Sequence, residues 1–316
     1  MSILFTCVGR RVELLQEFRR AAEILNVDLK IIGSDITDTA PAMYFCDKQK
    51  VVCRISDINY IKNLVDICYE EKIDAIIPTI DTDLLILSQN KAFFEKLGTK
   101  VFVSDPDKIK ICRDKRETAK FFLLLGLNTP IPDDDWEKYR GGYPAFIKPK
   151  DGSSSINSYK VNNKKELESY AKEVPDYIVA PFIKGVEYTV DTFCGFNGNP
   201  IYITPRVRLA VRSGEVLKTR IEQDEQIVAE TQSILEVFKP CGAITIQLIR
   251  EEKTGIDYFI EINPRFGGGA PLSMKAGANS AKAVLELLMG KTIEYRKQAA
   301  ENHAVFSRFD QSIRVK

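Results

Sequence analysis

Short apolar runs alternate with longer amphipathic segments from the start of this chain to about residue 105. The run ILFTCV at 3–8 ends in Gly9, and the following VELLQEFRRAAEIL carries apolar residues at helical spacing. The later segments that continue this pattern are strands at 29–33, 75–79 and 100–104 and helices at 58–70 and 83–96. Alternation of this kind is typical of a parallel sheet covered by helices, so residues 1–105 are predicted to form a Rossmann-like α/β domain.

The carboxyl ends of these strands are the expected place for ligands, because open α/β sheets bind small molecules there. Gly9, Arg10 and Asp81 follow such strand ends and are candidate substrate contacts. Arg10 and Arg11 suit an anionic substrate group, although solvated charges at a helix start would give the same pattern. A nicotinamide-binding domain is the competing interpretation, with Gly9 in the phosphate turn and Asp35 on the ribose. The turn TCVGRRVEL has one glycine where a dinucleotide fingerprint needs three, which disfavours that interpretation.

Composition argues against several classes of function. The 45 Lys and Arg residues nearly balance the 44 Asp and Glu, so neither nucleic acid nor an anionic membrane is an expected partner. No apolar run approaches the roughly 18–20 residues of a membrane span, and the basic pair Arg10-Arg11 after the first apolar run is the reverse of a secretory signal, so we expect a cytoplasmic protein. Seven scattered cysteines without a CxxC pair suggest neither a disulfide framework nor a zinc site. The single histidine, His303, rules out a histidine-rich metal site.

The pattern of segments changes after residue 105. A helix is predicted at 107–125, and it carries Asp114-Lys115 in its first half. The later segments with strand character are 143–148, 158–161, 177–182 and 187–193. The basic stretch 206–220 is predicted to form a hairpin. Two interpretations of this hairpin stay open: a solvated surface ribbon, or a site where Arg206, Arg212 and Lys218 bind an acyl phosphate or a carboxylate substrate.

Polar side chains converge on a second predicted hairpin, formed by strands at 243–250 and 257–262. Glu261 and Asn263 are two residues apart and so point to the same face of their strand, and Gln247 is the polar residue of the partner strand. One carboxylate and two amide oxygens form a hard oxygen site, which suits Mg²⁺ when nucleotide phosphates and waters complete the octahedron. Arg265 follows on the same side and can stabilise phosphate charge that develops during transfer.

The segment EINPRFGGG, with a glutamine one strand earlier, resembles the metal-binding end of ATP-grasp enzymes. The nearest resemblance is to the synthetase lobes of carbamoyl phosphate synthase large subunits and their small single-lobe relatives, and it covers essentially the whole chain. It implies an ATP-grasp fold, with a pre-ATP-grasp domain at 1–105 and an ATP-grasp domain at 106–316. The second domain is expected to have a small lobe at about 115–185 and a metal-binding lobe at about 186–316.

The resemblance also implies roles for individual residues. Glu261 would bridge two Mg²⁺ (or Mn²⁺) ions, Gln247 and Asn263 would each hold one, and Arg265 would contact the phosphoryl group. Lys148, in the segment FIKP, would hold ATP phosphates and take part in catalysis with Arg265. The other implied ATP contacts are Lys115 for the phosphates, Ser153, Ser154 and Ser155 in the flap, Ala180, Pro181, Phe182 and Ile183 for adenine, and Glu187 for the ribose. The flap departs from the family pattern, because serines stand where glycines are common.

The predicted activity is ligation of a carboxylate to an amine or a similar nucleophile, through an acyl phosphate made from Mg·ATP. Two alternatives remain: a nicotinamide-dependent oxidoreductase built on the N-terminal sheet, and a nucleotide-binding protein without catalysis. Full carbamoyl phosphate synthesis is not expected, because it requires two such lobes and an ammonia source. The partners are expected to be small carboxylates and amines that the sequence does not identify, and a homodimer is the default expectation.

Overall fold

A parallel sheet forms the N-terminal part of the protein in this computed structural model, which describes residues 1–152 and 156–316. Its strands are β1 (Ser2–Thr6), β2 (Lys30–Asp35), β3 (Lys48–Val51), β4 (Ala75–Pro78) and β5 (Lys100–Val101). Its helices are α1 (Val12–Leu25), α2 (Tyr60–Glu71), α3 (Leu84–Gln89) and α4 (Lys91–Lys96), with a 3₁₀ helix at Pro41–Phe45. The strand order β3-β2-β1-β4-β5 reverses between β1 and β4. A crevice therefore lies beyond the carboxyl ends of these two strands, where α/β sheets bind ligands.

The N-terminal helices follow the predicted periodicity with one break. Leu14, Leu15 and Phe18 form the buried stripe of α1, as the apolar spacing predicts. The single helix predicted at 83–96 is two helices, because Asn90 leaves helical geometry and its side chain donates to the carbonyl oxygen of Ile86 (2.8 Å). The strand predicted at 100–104 is shorter, ending at Val101.

A smaller antiparallel sheet follows two helices, α5 (Pro106–Arg113) and α6 (Lys115–Leu124). Its strands are β6 (Ala145–Pro149), β7 (Tyr159–Val161) and β8 (Tyr177–Pro181), in the order β7-β6-β8, and α7 (Lys164–Glu173) packs on them. The helix predicted at 107–125 is divided at Asp114, whose side chain accepts a hydrogen bond from the Arg116 N–H and caps α6. Capping by an aspartate satisfies a free amide at a helix start, so the division has a local cause. Lys115 thereby becomes the first residue of a helix.

The remaining strands form a six-stranded antiparallel sheet. They are β9 (Gly185–Cys194), β10 (Pro200–Arg212), β11 (Glu215–Ile221), β12 (Gly242–Glu251), β13 (Asp257–Asn263) and β14 (Val305–Ser307), in the order β13-β12-β9-β10-β11-β14. The accompanying helices are α8 (Glu225–Phe238), α9 (Ala270–Lys275) and α10 (Ser280–Leu288). The mixed α/β architecture with an N-terminal parallel sheet confirms the predicted fold class. The hairpins predicted at 206–220 and 243–262 are confirmed as β10–β11 and β12–β13.

The N-terminal sheet and the six-stranded sheet share one hydrophobic core. Phe18 of α1 lies edge-on to Phe266 with ring centroids 6.1 Å apart, and Phe266 stacks on Phe193 of β9 at 6.1 Å. The same cluster contains Phe5 of β1 and Leu285 of α10. This packing fixes the segment after β13 against the carboxyl end of the parallel sheet. None of the helices in the described ranges has both the length and the apolar composition that a membrane span would need.

A buried carboxyl group lies beside the crevice. Asp83 is fully buried, and its Oδ2 accepts hydrogen bonds from the hydroxyls of Thr6 (2.6 Å) and Tyr60 (3.4 Å). Its other oxygen has no hydrogen-bond partner among the described residues. Burial disfavours the charged form and raises the pKa of Asp83 to about 6.

We expect Asp83 to make the protein less stable as the pH rises from about 4 to about 7. The folded-state pKa lies above the unfolded value, so the folded state holds a proton that the unfolded state has lost, and this contribution disappears above about pH 6. In urea unfolding at about pH 4 and about pH 7, the free energy of unfolding of the wild type should fall between the two pH values by up to about 3 kcal/mol more than that of Asp83→Asn. Asp66→Asn, at a half-exposed site on α2, is the control and should follow the wild type. Parallel pH profiles for the wild type and Asp83→Asn would contradict the assignment.

Candidate active site

The three predicted metal ligands lie together on the β12–β13 hairpin. Gln247 is paired directly opposite Glu261 across the two strands. The Asn263 side-chain amide donates to Oε1 of Glu261 (2.9 Å). All three side chains are partly exposed on the same side of the sheet. The hairpin therefore presents one carboxylate and two amide groups at a single place, as the sequence predicted.

A β-bulge in β13 places Glu261 on this face. Gln247 pairs with Glu261, but the next residue of β12, Leu248, pairs with Phe259, so Ile260 is an extra residue in β13. Phe259 is buried in the core beneath the sheet. Strict alternation would put Phe259 and Glu261 on the same face, because they are two residues apart. The bulge separates them, with the aromatic ring buried and the carboxylate at the surface of the cleft.

The donor set fits a hard divalent cation that is bound together with phosphates. Within the described ranges, no group of three or more His, Cys, Asp or Glu side chains could hold a metal by itself. Gln247 Oε1 currently accepts a hydrogen bond from Arg208, and Glu261 Oε1 accepts one from Asn263. These three oxygen-bearing groups leave several positions of an octahedron to phosphate oxygens and water, which is the usual arrangement for protein-bound Mg²⁺.

Two lysines face this hairpin from the small-sheet side of the cleft. Lys115, at the start of α6, donates from Nζ to the Gly152 carbonyl oxygen (2.6 Å). Lys148 lies on β6, and among the described residues its ammonium makes no salt bridge. Burial lowers the pKa of Lys148 to about 8, with the negative charge of Glu261 opposing the shift and the positive charge of Lys115 adding to it. Burial likewise lowers the pKa of Lys115. Two partly desolvated ammonium groups next to a carboxylate are suited to a polyanion such as a triphosphate.

The cleft extends from the hairpin to the N-terminal sheet. Asp81, after β4, lines it together with Lys115, Glu261 and Asn263. Arg265 donates from Nη2 to Asp81 Oδ2 (2.6 Å), and both side chains are 14% exposed. The Asp81–Arg265 ion pair therefore joins the predicted substrate edge of the parallel sheet to the predicted phosphoryl-binding arginine.

The arginine that the structure places in the crevice is Arg11, whereas the sequence analysis chose Arg10 as the contact. Arg10 is 77% exposed and pairs loosely with Glu215 (3.5 Å). Arg11 turns inward and donates from Nη2 to the Thr79 carbonyl oxygen (3.1 Å). Gly9 begins this turn with a positive φ of 46°, and its N–H donates to Asp35 (2.9 Å). Because the two arginines are adjacent at a helix start, the sequence does not show which one points inward.

Arg208 is a residue of the site that the sequence analysis did not select. It donates to Gln247 Oε1 (3.0 Å) and to the Gly214 carbonyl oxygen (2.8 Å), and it lies 3.4 Å from a carboxylate oxygen of Glu187. Burial lowers the pKa of Arg208, and the charge of Glu187 opposes this shift. Arg208 thus links the predicted ribose-binding carboxylate to a predicted metal ligand.

The three cations chosen from the same hairpin contact none of the predicted metal ligands within the described residues, and their substrate role stays a prediction. Arg206 is 2% exposed and donates to Asp191 (2.8 Å), which also accepts from the Ser273 hydroxyl (2.6 Å). A Cβ at Gly269 would overlap the Arg206 guanidinium, so Arg206 supports the glycine-rich turn from below. Arg212 is exposed and pairs with Asp310 (2.7 Å), and Lys218 is an exposed residue of β11. Alternation alone put Arg206 and Arg208 on one face but could not show which of them reaches the cleft.

The predicted adenine-binding segment is the end of β8 and the residues that follow. Ala180 and Pro181 belong to the strand, while Phe182 donates its N–H to the Pro144 carbonyl oxygen (3.1 Å) and so uses that amide within the protein. The N–H of Ile183 forms no backbone hydrogen bond within residues 1–152 and 156–316. Ser153, Ser154 and Ser155 lie outside the described residues.

Comparison with known proteins gives two family matches. The N-terminal part, residues 3–102, matches the model described as "PylC-like, N-terminal domain". Residues 173–308 match the model described as "ATP-grasp in the biosynthetic pathway with Ter operon". The two matches cover the parallel sheet and the six-stranded sheet.

Individual relatives are distant in sequence. D-alanine–D-alanine ligase B of Clostridium perfringens is 24% identical over 227 residues, which is 62% of this chain and 75% of that protein. The carbamoyl phosphate synthase large chain of Thermomicrobium roseum is 22% identical over 220 residues, which is 62% of this chain and 20% of that protein. Among solved structures, the biotin carboxylase domain of the 2-oxoglutarate carboxylase of Hydrogenobacter thermophilus, in complex with MgADP, ADP and bicarbonate, superposes with a TM-score of 0.76 at 18% identity. The superposition covers 96% of this chain and 73% of the biotin carboxylase chain.

These findings confirm the resemblance to ATP-grasp enzymes that the sequence predicted: residues 173–308 match an ATP-grasp model, and the similar structures share the fold. The relation to the carbamoyl phosphate synthase large subunit is confirmed as a resemblance over part of that protein. The roles of the individual site residues stay predictions.

We expect Lys148 to make nucleotide binding weaken at high pH. With its pKa lowered to about 8, the Lys148 side chain is positively charged below that pH and loses its charge above it. The dissociation constant for ATP should therefore rise roughly tenfold per pH unit above about pH 8. Calorimetry with ATP in EDTA measures this without any contribution from metal.

The matched variant is Lys148→Arg, which stays charged and should show a shallower rise over the same range, because Lys115 is then the only one of the two lysines left to titrate. Lys172→Arg, at an exposed site on α7, should keep the wild-type profile. An equal slope in the wild type and Lys148→Arg would show that another group titrates.

Proposed function

We propose that this ATP-grasp protein is a Mg²⁺-dependent ligase that joins a carboxylate to an amine, using ATP to form an acyl phosphate. The observation that carries the proposal is the pairing of Gln247 with Glu261, and of Glu261 with Asn263, opposite two lysines in one cleft. This arrangement suits a nucleotide triphosphate together with its metal. ATP and Mg²⁺ are accordingly the proposed cofactors, with Mn²⁺ as a substitute.

Different residues of the cleft are proposed to contact different parts of the nucleotide. Lys115 and Lys148 face the phosphates, and Lys115 must exchange its hydrogen bond to Gly152 for one to a phosphate oxygen. Arg208 and Glu187 lie beside Gln247, where the ribose would be bound, and binding would release Gln247 Oε1 from Arg208. Bound Mg²⁺ would neutralise phosphate charge and align the γ-phosphate for transfer. The N–H of Ile183 is the described amide available to adenine.

The chemical steps follow from this placement. A carboxylate oxygen of the first substrate attacks the γ-phosphorus in line, the bond to the β-phosphate oxygen breaks, and ADP leaves. The amine then attacks the acyl carbon, the C–O bond to phosphate breaks, and the amine loses a proton. The products are an amide, ADP and inorganic phosphate. Arg265, fixed by Asp81, is placed to stabilise the charge on the transferring phosphoryl group and on the acyl phosphate.

The other candidate functions have less support from the site. The turn at Gly9 carries an inward arginine where a dinucleotide would need close approach of the backbone, which disfavours a nicotinamide enzyme. A nucleotide-binding protein without catalysis would not need Arg265 to be held in place by Asp81. We expect small-molecule substrates and a homodimer. The biotin carboxylase domain to which this chain is similar was solved as a dimer.

Replacing Glu261 by glutamine should abolish ligation without unfolding the protein. The side chain keeps its size and its contact with Asn263, but it loses the charge that a bridging metal ligand requires. We expect ADP release, measured with pairs of amino acids as substrates, to fall by roughly 10³-fold or more. Thermal unfolding should change little, because Glu261 is at the surface of the cleft.

Glu252→Gln is the matched control. It removes the same charge from the turn of the same hairpin, where Glu252 pairs with Lys184 (2.7 Å), and it should keep wild-type activity. ADP release from Glu261→Gln at the wild-type rate would overturn the metal assignment. ATP binding by the wild type without ADP release for any substrate pair would favour the non-catalytic alternative.

A further inference from the structure

The crevice between β1 and β4 contains the guanidinium of Arg11. Within the described ranges Arg11 forms no salt bridge, and its one hydrogen bond goes to the Thr79 carbonyl oxygen (3.1 Å). A guanidinium has five N–H donors, so most of them remain available. The side chain is partly buried, and its remaining donors are accessible to water or to a ligand that enters the crevice.

A second positive group lies close to Arg11. The charge of Arg265, together with burial, lowers the pKa of Arg11 to about 10. The charges of Glu215 and Asp81 oppose this shift. Asp81 is engaged by Arg265 (2.6 Å), and Glu215 lies 3.5 Å from both Arg10 and Arg308. Both carboxylates are thus shared with other arginines, and neither forms a salt bridge with Arg11. Such an arrangement costs free energy in the empty protein, unless an anion is bound.

The surroundings leave room for an anion. A Cβ at Gly268 would lie 3.2 Å from Nη1 of Arg11, so glycine at this position keeps the space beside the guanidinium clear. The helix α1 begins directly after Arg11, and no side chain caps its first turn. The amide groups and dipole of this 14-residue helix add positive potential at the same point. Arg11 thus lies between Thr79 and Gly268 at the start of a helix, with N–H donors that no described residue uses.

We propose that Arg11 binds the anionic group of the amine substrate, a carboxylate or a phosphate, and that this group anchors the substrate without reacting. The inference rests on the proposed ligase function and adds the class of its second substrate. The lysines and the metal hairpin are at one end of the cleft, the Arg265–Asp81 pair lies beyond them, and Arg11 lies in the crevice past that pair. Phosphate transferred at the hairpin leaves the acyl carbon near Arg265, so the amine reaches it from the side of Arg11.

The stability of Arg11→Gln distinguishes an anion-binding role from a purely structural one. If Arg11 served only to hold the Thr79 loop, its removal would destabilise the protein. If it is kept for an anion, Arg11→Gln removes a desolvated charge next to Arg265 while keeping a donor for the Thr79 carbonyl, and the ligand-free protein should be at least as stable as the wild type.

The test compares Arg11→Gln with Arg10→Gln, which removes the same charge one residue away from an exposed position. The probes are the twenty common amino acids and their carboxamides for the carboxylate, and aminoethyl phosphate with ethanolamine for the phosphate. Binding is measured by thermal shift and calorimetry without nucleotide. We expect at least one acid or phosphate to bind the wild type and Arg10→Gln equally, to bind Arg11→Gln about 30-fold or more weakly, and to lose binding when its charge is removed.

Arg11→Lys keeps the charge without the forked geometry and should give an intermediate affinity, so the test does not depend on one variant. The inference is overturned if uncharged analogues bind as well as the anions, if both glutamine variants lose the same affinity, if no anion binds the wild type, or if Arg11→Gln is clearly less stable than the wild type. Anion binding lost in Arg11→Gln without ADP release for any pair would keep the anion site and overturn the ligase. ADP release only with uncharged amines would keep the ligase and overturn the anion site.

Discussion

The ion pair between Asp81 and Arg265 connects the two halves of the cleft. Asp81 follows a strand of the parallel sheet, and Arg265 follows the strand that carries Glu261 and Asn263. Without this pair, a metal hairpin and a substrate crevice would be separate features of two sheets. With it, the arginine proposed to contact the phosphates is held by the loop whose Thr79 carbonyl accepts a hydrogen bond from Arg11. In the proposed function, the binding of nucleotide and the binding of substrate therefore depend on the same short loop.

Several positive charges of the cleft are partly buried. The chain as a whole is nearly neutral, yet Lys115, Lys148 and Arg11 lie partly buried with fewer carboxylates than they need. In each case burial shifts the pKa towards the neutral form, which marks a group that the folded protein solvates poorly. Polyanionic ligands are the natural partners for such groups. The proposed phosphate site therefore depends on a local group of positive charges and not on an excess over the whole chain.

The sequence predicted the framework of the site because its signals are local. Strand spacing was enough to bring Gln247, Glu261 and Asn263 together, and the β-bulge at Ile260 did not disturb this, because Glu261 and Asn263 both follow it. Side-chain direction was harder to predict. Arg10 and Arg11 are adjacent, and only packing against the Thr79 loop turns the second one inward. The same applies to Arg206 and Arg208, which share a face of β10 but differ in depth, one beneath the glycine turn and one beside Gln247.

The core that joins Phe18, Phe266 and Phe193 limits how this protein can be recombined with its relatives. The two family matches divide the chain into an N-terminal and a C-terminal part, which invites the exchange of the first hundred residues to transfer substrate preference. The aromatic rings of both parts interlock, however, and an exchanged N-terminal part would bring side chains of different shape to Phe266. Exchanging only the loops after β1 and β4 would leave that interface intact. Loop exchange is therefore the less disruptive way to introduce a new substrate preference.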